Sequence, residues 1–189
     1  MGRRTSLFPY SMLAAASGIA RHGRVLEIPV RSGDTVRFAD DSTEGDDYQS
    51  FAYRGRLAGT PFHLLQVGHY EGRTWMLVHD STGRRIAIDG SPVAAPGGAV
   101  IAAASFDLVA GFDFNGVEIF EVAADSLRSV WRLEPPEWGP DSLHWASPDT
   151  LRLIQQWRDS TPDSYRPQAA TVTRTASGWA LAPTTPPPA

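Results

Sequence analysis

No cysteine and no lysine occur among the 189 residues. The missing cysteine excludes disulfides, thiol nucleophiles and thiolate metal sites, and it leaves the compartment open. The missing lysine removes Schiff-base chemistry, lysine general bases and the phosphate-binding lysine of a P-loop. All 17 basic residues other than histidine are therefore arginine. The accompanying wealth of Ala, Gly and Pro gives this a bland source in GC-rich coding. Long apolar runs are missing too, and nothing approaches the ~20 residues of a membrane-spanning helix. No serine sits in a G-x-S-x-G elbow: Ser50, Ser91 and Ser105 have no recognisable turn around them. No glycine loop opens a helix to cradle phosphate, since Pro96-Gly97-Gly98 leads into a strand-like run. A net charge of −4 is too mild for steering and speaks against a nucleic-acid partner.

What is present is ordinary globular composition, 42% hydrophobic and 20% charged, in a length that suits one domain. Residues 1–23 read as a leader. Arg3 and Arg4 precede an apolar stretch ending in Ala14-Ala15-Ala16, the order of a signal segment, but Pro9, Tyr10 and Ser11 interrupt it. Periplasmic or secreted and cytoplasmic locations both stay open. From residue 24 to 183 the chain reads as a single all-β domain, and 184–189 as a proline-rich tail, extended or disordered.

Within the domain, short alternating runs are separated by turn chemistry. Leu26–Val30 and Thr35–Phe38 flank Arg31-Ser32-Gly33-Asp34 and predict a hairpin. Asp40–Asp47 is an acidic loop. Four runs follow, Gln49–Arg56, Phe62–Tyr70, Thr74–His79 and Arg84–Asp89, which together predict an antiparallel meander the size of a propeller blade. A second round leads through Ser91–Gly98 into Ala99–Ser105, then Val117–Val122 and Ser129–Leu133. A third holds Ser142–Ala146, Leu151–Trp157, Ala170–Arg174 and Trp179–Leu181. Weak helical patterning is confined to the leader and to Ala123–Arg128. The expected fold is all-β, with antiparallel meanders in a propeller-like arrangement of three to four blades; a β-sandwich or barrel is the alternative. The N-terminal hairpin could supply the fourth blade.

Trp145-Ala146-Ser147-Pro148-Asp149-Thr150-Leu151-Arg152-Leu153 resembles the W-x-S-P-D-G-x-x-L signature of TolB-type, WD40-like β-propeller repeats. Ala95-Pro96-Gly97-Gly98, before an apolar strand, resembles a degraded copy. The resemblance implies that each such turn joins the innermost strands of a blade. The Tyr70-Glu71-Gly72 turn and the Asn115-Gly116 pair also resemble those of an uncharacterised group of small bacterial β proteins, a likeness that implies no activity.

Three constellations are candidates for chemistry. Asp107, Asp113 and Asn115 offer side-chain oxygens in a glycine-containing loop, as Ca²⁺ requires. Their bland reading is that Asn115-Gly116 forms a type I′ turn while Asp107 bonds local backbone. His63 and His69 share strand parity, with His79 on the next run, so imidazoles could converge on zinc or copper; isolated strand histidines are otherwise buried and hydrogen-bonded. Trp131, Trp138 and Trp145 recur every seven residues and offer either an aromatic platform for a glycan or peptide or plain blade packing. Apart from that candidate Ca²⁺, no cofactor is expected. Two functions follow. One is a non-catalytic binding module of the bacterial cell envelope or exterior, taking a protein or glycan ligand. The other is a hydrolase or lyase built on Asp107, Asp113 and Glu71, with or without Ca²⁺.

Overall fold

The computed structural model describes residues 18–161 and 164–187. The signal-like stretch of the leader falls outside them.

Among the described residues every regular element is a strand. β1 (Ala20–His22), β2 (Val25–Pro29) and β3 (Thr35–Ala39) form a three-stranded first sheet. β4 (Ser50–Arg56), β5 (Phe62–Gly68), β6 (Arg73–His79) and β7 (Arg85–Ile88) form the second. The third holds β8 (Ser91–Ala94), β9 (Val100–Ser105), β10 (Gly116–Ala123) and β11 (Ser126–Leu133). The fourth holds β12 (Trp138–Ser147), β13 (Thr150–Arg158), β14 (Tyr165–Thr175) and β15 (Gly178–Ala182). In each sheet the spatial order is the chain order and all pairs are antiparallel. This is the expected propeller-like array of four blades, with the N-terminal strands supplying one.

Three hydrophobic clusters glue each sheet to the next. Leu26, Ile28 and Phe38 of the first sheet meet Phe51, Leu65, Val67 and Val78 of the second. The other face of the second, with Phe62, Leu64 and Leu77, meets Ile101, Ala103 and Phe120 of the third. Ala102, Ala104 and Ile119 then meet Leu143, Leu151, Leu153 and Val172 of the fourth. The period-two alternation of a strand explains how neighbours such as Leu64 and Leu65 feed different clusters. It also explains why strands buried on both faces read as unbroken apolar runs. Burying each such Leu, Ile or Phe contributes roughly 1.5–3 kcal/mol.

Among the described residues no such cluster joins the first sheet to the fourth. Their outward faces carry charged and polar side chains among a few smaller apolar patches. Glu27 and Arg37 pair at 2.7 Å on the first. The fourth presents His144, Arg152, Gln156 and Thr173, with half-buried Ile154 and exposed Pro167 and Ala169 among them. Largely polar end faces are what a stack of repeats needs at its termini.

Some expectations are corrected. Ala123–Arg128 is no helix: Ala124 takes a positive φ of 49° and the chain turns there into β11. The Ser126 hydroxyl donates to the Ala123 carbonyl at 2.9 Å and fixes that turn. Asn115-Gly116 is no two-residue hairpin either, because Ser105 pairs with Gly116 and the whole of 106–115 forms the connection. β1 falls within the stretch read as leader. Past β15, the Pro183 carbonyl accepts from buried Gln155 at 3.2 Å and the Pro187 carbonyl from Arg166 at 3.3 Å.

The two proline-bearing turns occupy equivalent places, Ala95–Gly98 between β8 and β9 and Ser147–Thr150 between β12 and β13. The first also packs on its counterpart in the second sheet. A Cβ on Gly98, whose φ is +72°, would lie 1.9 Å from the Gly59 carbonyl oxygen. Only glycine permits that backbone-to-backbone approach.

Candidate functional site

At one end of the array three loops meet around a surface pocket of about 230 Å³. The β3–β4 loop contributes Asp46, the β5–β6 turn His69, Tyr70, Glu71 and Gly72, and the β9–β10 loop Phe112 and Asp113. The β5–β6 turn is fixed by the His69 amide donating to the Gly72 carbonyl at 2.9 Å, while His69 Nε2 meets Thr74 Oγ1 at 2.9 Å.

Asp107 organises the β9–β10 loop. Its Oδ1 accepts the amides of Ala110 at 3.0 Å and Gly111 at 3.1 Å. Its Oδ2 accepts those of Phe112 at 2.7 Å and Asp113 at 2.6 Å. Four donors fill the acceptor sites of one carboxylate. Asn115 closes the loop: its Oδ1 accepts the Asp107 amide at 3.2 Å, and its Nδ2 donates to the carbonyls of Pro135 at 2.8 Å and Trp138 at 3.0 Å. Of the three oxygen donors read as a Ca²⁺ candidate, two are thus engaged with backbone, and Asp113 alone turns to the pocket. Its Oδ1 lies 3.2 Å from where a Cβ on Gly72 would stand, so that glycine lets the turn and the carboxylate approach. Partial burial pushes the Asp113 carboxyl up from the usual carboxylate range and the Asp107 charge adds to this, with His69 and Arg73 opposing.

The wrapped loop pushes apolar side chains outward. Phe112 is 76% exposed and Val109 66%, and on the adjoining β5–β6 turn Tyr70 is 64% exposed. Phe106, 40% exposed, stacks edge-on with Tyr165 at 5.3 Å on the same end. Nearby, Phe114 lies under the guanidinium of Arg132 at 4.0 Å. Arg132 in turn pairs with Glu118 at 2.6 Å, Glu134 at 2.7 Å and Asp89 at 3.1 Å.

The tryptophans lie elsewhere. Trp138 is buried and packs with Trp157 at 6.1 Å, in the cluster between the third and fourth sheets. Trp145 donates its indole N–H to the Val93 carbonyl at 3.0 Å and meets Trp179 edge-on at 5.8 Å. Trp131 and Trp145 pack against the same cluster, half-buried.

The histidines do not converge. His79 stands opposite Phe62 across β5 and β6, whereas His63 stands opposite Val78, so they project to opposite faces. His63 Nδ1 meets the Tyr53 hydroxyl at 3.1 Å, and His79 Nδ1 faces the Thr82 amide at 3.2 Å. Among the described residues no group of three His, Asp or Glu is placed to hold a metal. Beside His63, buried Asp80 pairs with Arg56 and, at 2.9 Å, with Arg31. This network ties the first two sheets together.

Comparison with known proteins adds little to this picture. No family model matches the chain, and no curated protein matches it. Among solved structures it is similar to a candidate 6-phosphogluconolactonase from Bacteroides uniformis ATCC 8492, at 13% identity and a TM-score of 0.40. The match covers 87% of this chain and spans 54% of that protein.

The sequence pointed to single members of the pocket but not to their union. Asp113 was visible as an oxygen donor, Glu71 as a carboxylate and Asp46 as part of an acidic loop. Phe112 lies in the run Gly111-Phe112-Asp113-Phe114, and its place between Gly111 and Asp113 in a glycine- and aspartate-bearing loop is the one local signal for it.

Proposed function

We propose that the protein is a non-catalytic binding module whose contact face is the loop end formed by Asp46, Tyr70, Glu71, Val109, Phe112 and Asp113. One observation carries this reading: Phe112 and Val109 stand largely exposed on a loop that Asp107 and Asn115 hold in a fixed shape, and Tyr70 stands exposed on the β5–β6 turn that shares the pocket with Phe112. Leaving large apolar side chains in water costs free energy that folding alone does not recover, and rigid exposed aromatics are the usual anchors of interfaces. Pre-organisation of the loop lowers the entropy lost on binding. The equivalent turns in the third and fourth sheets support a relation to TolB-type repeats. The signal-like order of residues 3–16 supports an envelope or extracellular setting.

The test is photo-crosslinking in the native host, with a benzophenone side chain replacing Phe112 and a control replacing Ala123 at the far end of β10. A discrete adduct from position 112, absent from position 123 and lost in Tyr70→Ser, supports the reading. Adducts from both positions or from neither reject it.

A second reading, a carboxylate-based hydrolase, draws on the raised Asp113 carboxyl in the same pocket as Glu71. Turnover that disappears in both Asp113→Asn and Glu71→Gln would favour it.

A further inference from the structure

We infer that the partner of this face is a basic polypeptide segment, which seats one guanidinium or ammonium head among Asp46, Glu71 and Asp113 while its apolar neighbours cover Tyr70, Val109 and Phe112. The inference rests on the binding reading above and adds the chemistry of the ligand.

Charge complementarity is the first argument. Several carboxylates are matched by arginine, Asp40 by Arg21, Glu27 by Arg37, Asp80 by Arg31 and Arg56, Glu121 by Arg128 and Arg174, while others such as Asp34 and Asp141 stand singly with no such partner among the described residues. Among the described residues Asp46, Glu71 and Asp113 have no ion pair, although three separate loops bring them to one pocket. The cationic groups acting on Asp113 there are His69, whose Nε2 is engaged by Thr74, and Arg73. Asp107 and Asp89 add negative potential. Like charges gathered on rigid loops favour an incoming cation.

Ring chemistry is the second. Tyr70 and Phe112 line the same pocket, and aromatic faces attract cations. Two guanidiniums already sit on phenylalanine in this protein, Arg132 over Phe114 at 4.0 Å and Arg85 over Phe38 at 4.4 Å. Size is the third. A pocket of about 230 Å³ is smaller than the ~300–1,000 Å³ of typical small-molecule sites. It suits one side-chain head, while Val109, exposed on the same loop as Phe112 but outside the pocket lining, needs a ligand that extends further. A polypeptide bearing arginine or lysine beside apolar residues meets both demands, and a free amine meets only one.

Calorimetric titration of the full chain tests this, using a short peptide that alternates arginine with glycine and leucine. Its counterpart with citrulline for arginine keeps the shape and removes the charge. The arginine peptide is expected to bind at least about tenfold tighter than the citrulline peptide, and to weaken at least about tenfold in Glu71→Gln and Asp113→Asn. Raising the salt should weaken it too, as for exposed ion pairs. Both substitutions lie in exposed loops and their side chains join no backbone hydrogen bond, so unchanged circular dichroism confirms folding. Equal binding of the two peptides, indifference to both substitutions, or no binding overturns the inference. Choline or arginine amide binding as tightly as the peptide overturns it in favour of a small-amine site. If the arginine peptide fails while the Phe112-position crosslink still forms, the binding face stands and only the basic partner falls.

Discussion

Asn115 accepts the backbone N–H of Asp107 through its side-chain oxygen at 3.2 Å and so joins the two ends of the β9–β10 loop. Its amide group simultaneously holds the carbonyls of Pro135 in the neighbouring β11–β12 connection and of Trp138 at the start of β12. Asp107 then gathers four amides inside the loop. One residue anchors the loop to the body and the other shapes it. Asn115→Ala should therefore lower stability by about 1–3 kcal/mol, because two backbone carbonyls lose their donor. For a chain of this size that is a fall in Tm of several degrees. Asp107→Ala should cost about 1–2 kcal/mol and free the loop, so that the region 108–113 exchanges its amide protons faster. Hydrogen exchange of both variants separates the two roles: loosening confined to 108–113 in Asp107→Ala, and spreading to 135–138 in Asn115→Ala.

Asp113 should behave in the opposite sense. Burial and the nearby Asp107 raise its carboxyl above the ordinary range, so the folded state holds that proton more tightly than the unfolded chain. The ionised group therefore works against folding at neutral pH, and this penalty disappears as pH falls through the raised value. Asp113→Asn is expected to leave Tm unchanged or slightly higher at pH 7, with the gain vanishing in acid, while peptide binding weakens. Scanning calorimetry at pH 7 and in acid checks this. A lower Tm at pH 7 would mean that the carboxylate supports the fold.

Most strands were legible because the sheets are meanders. Each run alternates or is wholly apolar, and each join carries Gly, Pro, Asp or Ser. Four things hid in the sequence. β8 is only Ser91-Pro92-Val93-Ala94, and its proline belongs to an edge strand. The Asn115-Gly116 pair has the chemistry of a tight turn, yet the carbonyls of Pro135 and Trp138 recruit the asparagine side chain for a longer loop. The pocket is built from Asp46, Glu71 and Asp113, which no local window contains together. Strand parity placed His63 and His69 alike, but only the register of β5 against β6 shows that His79 follows Phe62 and so faces away from His63.

The contact between the β4–β5 and β8–β9 turns should be among the least forgiving in the molecule. Gly98→Ala would drive a methyl group into the Gly59 carbonyl at a φ that alanine also resists. A loss of about 2–4 kcal/mol is expected, read as a lower urea midpoint with an unchanged slope. Gly97→Ala, at a similar φ of +86° but with no atom within 4 Å, should cost only about 1 kcal/mol. Equal losses in the two variants would show that backbone conformation, not turn-on-turn packing, sets the requirement.

The Asp80–His63 network makes stability fall in acid, in two stages. Burial, together with Arg56 and Arg31, holds the His63 ring below its ordinary value against the opposing pull of Asp80. The unfolded chain therefore takes up that proton first, and stability drops as pH falls below the free-histidine value near 6.5. For Asp80, burial pushes the carboxyl up. Hydrogen bonds from Arg56 and Ser81, with the charges of both arginines, more than reverse this, and the net direction is down. Its contribution is complete above the unfolded carboxylate value near 3.9 and is lost only as pH falls through the lower folded one. His63→Gln should flatten the upper stage and leave the lower. Asp80→Asn should cost roughly 2–4 kcal/mol at pH 7, since it leaves Arg56 without its partner at the joint between the first two sheets. That deficit should shrink in strong acid, where the wild-type carboxyl is protonated as well. Urea unfolding at pH 7.5, 5 and 3 resolves the stages, and a wild-type midpoint that is flat from 7.5 to 5 would remove His63 from this account.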